Sequence, residues 1–319
     1  MTVPPPHSPR VAIVGAGAIG RGWAALCTSA GWECALFDTD AQVANRAREE
    51  VARRARALVT MGRARAETVE LGLGRLRPGR SLLQACGDAE WIIESVQEDL
   101  HAKQRVFESL GQVARAGAVI TSSSSGLPIS EIAAHSRDQQ RCLVAHPLNP
   151  PELIPLVEVV PGKFTGAPAV ESVRAWLRAL DRIPIVLKRE VPGNAVGRIA
   201  AAVWRECIDL VLSGVMDVDD IDRAVSLGPG LGWAAAGPHL TYHLGAGEGG
   251  VKAFLEQLLV PFEAWWSSLA QWTKLEPEQV QALTSQIERA YGANLEEIRD
   301  SRDRRLAAIL QALDRARKA

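Results

Sequence analysis

Val11-Ala12-Ile13-Val14-Gly15-Ala16-Gly17-Ala18-Ile19-Gly20 is a short apolar run that meets three glycines and then enters a helical period through Trp23, Leu26 and Cys27. Each glycine has its own task. The first permits a tight turn, the second lets backbone approach a pyrophosphate, and the third lets helix pack on strand. The helix, with Ala18 and Ile19 in its first turn, points unsatisfied N–H groups and the positive end of its dipole at the phosphates. Asp38 lies eighteen residues beyond Gly20, at the end of the next apolar run, where its carboxylate would accept hydrogen bonds from ribose hydroxyls. Asp40 stands beside it and no arginine adjoins. A 2′-phosphate would be repelled there, so the pattern predicts NAD rather than NADP.

Outward from this turn, β-rich runs alternate with amphipathic helical stretches as far as Ile185. This is the signature of a doubly wound, mainly parallel Rossmann-like sheet covered by helices on both faces. The runs read as strands are Val11–Val14, Glu33–Phe37, Trp91–Glu94, Val119–Ser122, Cys142–Ala145 and Ile183–Val186. From Gly193 onward strand-like runs vanish and long helical periods take over, which predicts an all-α C-terminal domain. Pro192, Gly193 and the charges before them mark the junction. The domains expected are residues 1–190, an NAD-binding unit, and residues 191–319, a helical substrate-binding unit. A Gly/Pro-rich segment, Leu227 to Gly250, reads as a long functional loop within the second.

A chain of 319 residues that is 47% hydrophobic can close two cores, and a formal net charge of −1 with dispersed basic residues leaves no stripe for nucleic acid. No apolar stretch approaches the roughly 20 residues needed to span a bilayer. The segment Met1 to Arg10 is Pro-rich and lacks the pattern of a signal peptide. A cytoplasmic protein is expected. Its five cysteines (Cys27, Cys34, Cys86, Cys142, Cys207) are odd in number and scattered in apolar runs, which predicts buried thiols and no metal site.

Three features follow the sheet in order, each read as lying at or just beyond a strand end: the serine turn Thr121–Gly126, the segment Ala145-His146-Pro-Leu-Asn-Pro150, and Leu156-Val157-Glu158. Oxidation of a hydroxyl needs a base for its proton, and histidine titrates in the useful range. His146 is the histidine so placed. Glu158 would hold its other ring nitrogen and stabilise the imidazolium, and Ser125 would donate to the developing oxyanion.

These residues, with Glu94-Ser-Val-Gln-Glu98-Asp-Leu-His-Ala-Lys103 and Pro155-Leu-Val-Glu158, resemble the 3-hydroxyacyl-CoA dehydrogenase superfamily over essentially the whole chain. Within it the sequence is most like the branch containing lambda-crystallin (L-gulonate 3-dehydrogenase) and L-carnitine dehydrogenase. The resemblance implies NAD contacts from the glycine turn, Asp38, Glu98 and Lys103, a His146–Glu158 pair with Ser125, and a C-terminal domain that closes the cleft and forms a homodimer. Without it, Glu98 and Lys103 read as solvated charges at a helix start.

Two departures from the family pattern bear on substrate. Gly197 stands where the family has an asparagine that polarises the substrate oxygen, a donor typically worth about 3 kcal/mol. Asn194, one helical turn earlier, either reaches the same space or satisfies backbone N–H groups at the helix start. Gly232 stands where gulonate- and carnitine-like relatives place an arginine suited to a carboxylate. Trp204, Trp233, Tyr242 and His243 would instead line an aromatic substrate pocket, although such rings more often serve packing. The expected activity is NAD-dependent oxidation of a small 3-hydroxy acid or related hydroxy substrate. NADH-dependent reduction of imines or bulky ketones is the alternative, and a crystallin-like NAD-binding structural protein a minor third reading.

Overall fold

The computed structural model describes residues 8–292 and 294–318. Residues 1–7, most of the Pro-rich N-terminal segment, lie outside that range. The chain divides into two compact units between Arg198 and Ile199.

The first unit is built on eight strands: β1 (Val11–Val14), β2 (Cys34–Phe37), β3 (Leu76–Pro78), β4 (Trp91–Glu94), β5 (Val119–Ser122), β6 (Cys142–Pro147), β7 (Leu156–Pro161) and β8 (Ile183–Val186). Its helices are α1 (Ala18–Ser29), α2 (Ala41–Thr60), α3 (Ala66–Arg75), α4 (Leu82–Cys86), α5 (Leu100–Val113), α6 (Ile129–Ile132) and α7 (Ala167–Ala179), and the chain leaves it through α8 (Asn194–Leu212). The strand order is β3-β2-β1-β4-β5-β6-β7-β8, with every neighbouring pair parallel except β6 and β7. Strand order reverses between β1 and β4, the switch point outside whose carboxyl ends an open α/β sheet holds its ligand.

Because strand side chains alternate, the central sheet buries both faces. Val11, Ile13, Trp91, Ile93, Leu143 and Ala145 face α1 and α7, whereas Ala12, Val14, Ile92, Ile120 and Val144 face α4, α5 and α6. On the first face Trp91 stacks on Trp176 at 5.5 Å between ring centroids and meets Trp23 edge-on at 5.7 Å. The Trp91 indole N–H reaches the Thr121 hydroxyl at 2.9 Å, so this large buried ring leaves no polar atom without a partner.

Four of the six strands expected from sequence have the observed bounds, and the strand read from Glu33 begins at Cys34. β6 runs two residues beyond its expected end and contains His146. Leu156-Val157-Glu158 does not lie beyond a strand end; it opens β7, antiparallel to β6, with His146 opposite Glu158 in the register. β3 is a three-residue edge piece, too short for a pattern to register.

The second unit contains α9 (Val218–Leu227), α10 (Pro229–Ala236), α11 (Pro238–Gly245), α12 (Gly250–Ser268), α13 (Pro277–Tyr291) and α14 (Leu295–Lys318), and no strand among its described residues. The long loop expected from Leu227 to Gly250 is instead mostly helical. Pro229 and Pro238 each sit in a first turn, where a missing N–H costs nothing, so here proline starts helices rather than breaking them. Ile208, Val211, Ile221 and Leu283 form the core of this unit.

Replacing Trp91 with alanine should cost about 3–5 kcal/mol, since it empties the centre of a three-ring stack and leaves Thr121 without a donor. Urea titration followed by circular dichroism measures this, and a loss below 1 kcal/mol would contradict the packing described.

Candidate active site

The turn between β1 and α1 is fixed by backbone contacts. Gly15 has φ +102°, and a Cβ there would lie 2.6 Å from the Ser95 carbonyl oxygen. A Cβ on Gly20 would lie 1.9 Å from the Gly15 carbonyl oxygen, so this glycine lets α1 close on the turn. A Cβ on Gly17 would meet nothing within 4 Å. The first and third glycines thus answer to the protein, whereas the second faces open space. Ala18 and Ile19 form the first residues of α1, with Ile19 packed partly against the core.

Beside the turn lies a cavity of about 710 Å³ lined by Gly15, Gly17, Asp38, Val43, Ser95 and Arg105 among others. The two Asp38 carboxylate oxygens accept from Ala16 N at 2.8 Å and from Asp40 N at 3.0 Å. Each keeps acceptor capacity for a ribose hydroxyl. Asp40 is the N-cap of α2, accepting from Gln42 N and Val43 N. An open approach at Gly17, a helix N-terminus and an acid beside the cavity fit the adenosine and pyrophosphate of NAD.

Glu98 and Lys103 belong to a cluster that the sequence did not assemble. Lys103, 1% exposed, directs its ammonium to Glu94 Oε1 at 2.8 Å, to Glu98 Oε2 at 3.3 Å and to the Val96 carbonyl at 3.3 Å. Three acceptors thus meet its three donors. Glu98 Oε1 accepts from the Ser124 hydroxyl at 2.6 Å and from Ser125 N and Gly126 N at 3.0 and 3.2 Å. Neither residue lines the cavity beside the glycine turn. Burial works to raise the Glu98 carboxyl, but the Ser124 hydroxyl, Lys103 and the Gly126 N–H outweigh it and hold it below the usual carboxylate range. Glu94, fully buried, goes the other way: burial pushes it up despite Lys103, Ser122 and the Val96 N–H. Sequence reasoning gives Glu94 no role of its own. Its location at the end of a buried strand was the signal that could have singled it out.

His146 and Glu158 meet as sequence reasoning expects. His146 Nδ1 lies 2.8 Å from Glu158 Oε2, and the two residues are 6% and 1% exposed. Among the described residues no group hydrogen-bonds to Nε2, which leaves that nitrogen for a proton in transit. The other Glu158 oxygen accepts from Ala195 N and Val196 N, both at 2.9 Å, in the first turn of α8. No sequence signal announced this contact. Burial would raise the Glu158 carboxyl, but the His146 hydrogen bond and the two backbone N–H groups prevail and lower it. The register of β5 on β6 pairs Ser122 with Val144, so the serine turn leaves the sheet next to His146. The Ser125 hydroxyl is exposed and makes no hydrogen bond among the described residues, whereas Asn194, 4% exposed, donates through Nδ2 to the Ser124 and Ser125 carbonyls at 3.4 and 3.1 Å.

The aromatic residues of the second unit fall in different cavities among those described. Tyr242 and His243 line a cavity of about 630 Å³ with Phe254, Phe262 and Trp266. Trp204 lines a different one of about 480 Å³ with Cys207 and Tyr291, and Trp233 lines neither. No cluster of potential metal ligands occurs among the described residues. No described helix is long and apolar enough to cross a membrane. Four of the five free thiols are buried, and burial pushes Cys34 and Cys86 up to about 12, so they are inert.

The glycine turn with Asp38 beside its cavity, and the buried His–Glu pair on adjoining strands, fit an NAD-dependent dehydrogenase on a doubly wound sheet. Comparison with known proteins makes the assignment specific. Residues 10–191 match the 3-hydroxyacyl-CoA dehydrogenase NAD-binding domain and residues 193–285 the C-terminal domain of that enzyme, so the chain belongs to the 3-hydroxyacyl-CoA dehydrogenase family. It is 36% identical to an L-carnitine dehydrogenase of Streptomyces coelicolor, over 98% of this chain and 96% of the relative. An L-carnitine dehydrogenase of Pseudomonas aeruginosa is also 36% identical, over 95% and 93%. Among solved structures, a 5-formyl-3-hydroxy-2-methylpyridine-4-carboxylic acid 5-dehydrogenase described as an NAD+-dependent dismutase superposes with a TM-score of 0.82 at 26% identity, covering 96% of this chain and 98% of that one.

The glycines are expected to separate folding from cofactor binding. Gly17→Ala should leave the thermal midpoint within about 2 °C while weakening NAD at least tenfold, and Gly20→Ala should destabilise the fold by about 1–3 kcal/mol. Calorimetry with and without NAD tests both. A Gly17→Ala protein that binds NAD normally would remove the pyrophosphate from this turn.

Proposed function

We propose that the chain oxidises the secondary hydroxyl of a small 3-hydroxy acid of the carnitine or gulonate kind, with His146 as base, Glu158 as its partner and Ser125 as donor to the substrate oxygen. The observation that carries this reading is the His146–Glu158 pair at 2.8 Å, whose outer ring nitrogen has no hydrogen-bond partner among the described residues. The L-carnitine dehydrogenases at 36% identity support the substrate class.

The glycine turn and Asp38 would hold NAD, which when bound would supply the acceptor for the hydride of the carbinol carbon. The task of the chain is the proton. Neutral His146 takes it from the substrate hydroxyl at Nε2, and the resulting imidazolium is stabilised through Nδ1–H by a Glu158 that stays ionised because hydrogen bonds hold its carboxyl low. Ser125, with its hydroxyl uncommitted, donates to the oxygen as negative charge develops on it. We assign Glu98 and Lys103 to the nicotinamide end, where the Lys103 ammonium holds Glu98 and the Glu98 carboxylate accepts from the serine turn and so fixes it.

One observation favours the second reading, reduction of imines or bulky ketones. A Cβ at position 197 would meet only the Ser125 carbonyl, at 3.9 Å, and one at 232 would meet nothing within 4 Å. Both positions where family members carry a polar side chain are therefore open. We read residues 1–190 as the cofactor domain and 191–319 as the substrate and dimerisation domain. Exposed Leu231, Leu244, Val260, Trp265 and Trp266 support a homodimer through the latter. Free, buried thiols suit a reducing cytoplasm.

Reduced-nicotinamide absorbance decides between the two. Turnover of carnitine, gulonate or simple 3-hydroxy acids with NAD is expected, and NADH consumption on cyclic imines without it would select the second reading. His146→Ala should lower kcat at least about a hundredfold, within the range of general acid–base contributions. Near-normal turnover would remove His146 from its role. Gly197→Asn, for which there is room, should raise hydroxy-acid oxidation.

A further inference from the structure

Asn194 opens α8 in an unusual way. Its φ is +48° and follows Gly193 at +78°, so two consecutive residues adopt the left-handed region where the helix starts. An L side chain other than asparagine or aspartate rarely does so. Its backbone N–H is committed to the Val191 carbonyl at 3.0 Å and its side-chain amide to the Ser124 and Ser125 carbonyls. The next two N–H groups, from Ala195 and Val196, both converge on Glu158 Oε1. The two turns also touch: a Cβ on Gly126 would lie 3.2 Å from the backbone nitrogen of Gly193.

Neither sequence reading of Asn194 matches this arrangement. The side chain does not cap its own helix, and its amide hydrogens are turned to protein carbonyls rather than to a substrate. The serine turn is instead gripped from both sides, since its donors at Ser124, Ser125 and Gly126 go to Glu98 and its carbonyls at 124 and 125 take the Asn194 amide.

We propose that Asn194 is a positioning residue, which fastens the first turn of α8 to the serine turn so that the α8 N–H groups stay on Glu158 and keep it an ionised partner for His146. This rests on the reading of His146 and Glu158 as the acid–base pair. The sign follows from the chemistry. Hydrogen bonds to a carboxylate, and a helix N-terminus facing it, favour its charged form, so losing them moves the group up toward the ordinary range. The titratable group facing Glu158 is His146 on β6. α8 contributes only backbone N–H groups there, and the β8 residue opposite in register is the apolar Ile185.

The test is a carbon-13 NMR titration of protein labelled in its glutamate carboxyls, with the Glu158 signal assigned by its loss in Glu158→Gln. In Asn194→Ala the Glu158 midpoint should rise by roughly one unit or more. kcat should fall on the order of 10- to 100-fold while KM for NAD stays within about twofold, as expected when a reacting group is displaced rather than removed. Asn194→Gly, which takes the left-handed conformation without strain, should show the same direction with a smaller shift, and it carries the test if the alanine variant does not fold. An unchanged Glu158 midpoint in both variants overturns the proposal, whatever happens to turnover. Because the titration needs no substrate, it is read separately from the activity assignment: an inactive His146→Ala enzyme beside an unmoved Glu158 midpoint would keep the acid–base pair and discard the role of Asn194.

Discussion

The carboxylate of Glu158 is the constraint on which the candidate site depends. One oxygen faces His146 across the antiparallel step in the sheet, and the other receives two N–H groups from the start of α8. A charge buried to 1% exposure is expensive unless every lone pair it presents is engaged by donors of the right geometry. The antiparallel pairing of β6 and β7 supplies the histidine, because cross-strand neighbours stand only about 5 Å apart. The helix supplies the rest. A parallel β7 would have required a long crossover connection, whereas here the short segment through Pro150–Pro155 turns the chain straight back.

The cofactor side of the same unit follows a different logic. There the protein is arranged around space rather than charge: strand order reverses between β1 and β4, Gly15 and Gly20 absorb the close contacts, and Gly17 stays clear. The loop after β4 joins the two regions. Ser95 lines the cavity and hydrogen-bonds to Ser123 at 2.9 Å, and Trp23, on the helix that opens at the glycine turn, donates to the same Ser123 at 3.1 Å. Cofactor turn, β4 loop and serine turn are thus mechanically continuous within one domain.

Legibility in the sequence tracked how local each feature is. The glycine turn, Asp38 and the central strands could be read because strand, turn and helix are contiguous and the spacing carries the chemistry. His146 and Glu158 could be paired because a β-turn-β unit brings residues twelve apart together, although the strand holding Glu158 is not among those the sequence predicts. The engagement of Glu158 by α8 could not be read, since it joins backbone to side chain across thirty-seven positions and backbone N–H groups leave no trace in composition. The helices at Pro229 and Pro238 were missed for the opposite reason. Proline and glycine break helices in most contexts, but here they begin and separate short ones.

The Glu94–Lys103–Glu98 cluster shows what this precision costs. Apolar residues of similar volume would often be neutral or stabilising in place of a buried ion pair, so retention of a fully buried lysine with two glutamates is not explained by stability. Its geometry offers a reason. Lys103 fixes Glu98, and Glu98 gathers three donors from the serine turn, which leaves the Ser125 hydroxyl as the turn's unengaged polar group. Shortening Lys103 would therefore act at a distance: two carboxylates would lose their shared cation, Glu94 would take up a proton more readily, and the turn would lose its support from the donor side while Asn194 still held its carbonyls. A buried charge that touches no substrate would then matter to the chemistry through the placement of a neighbouring turn.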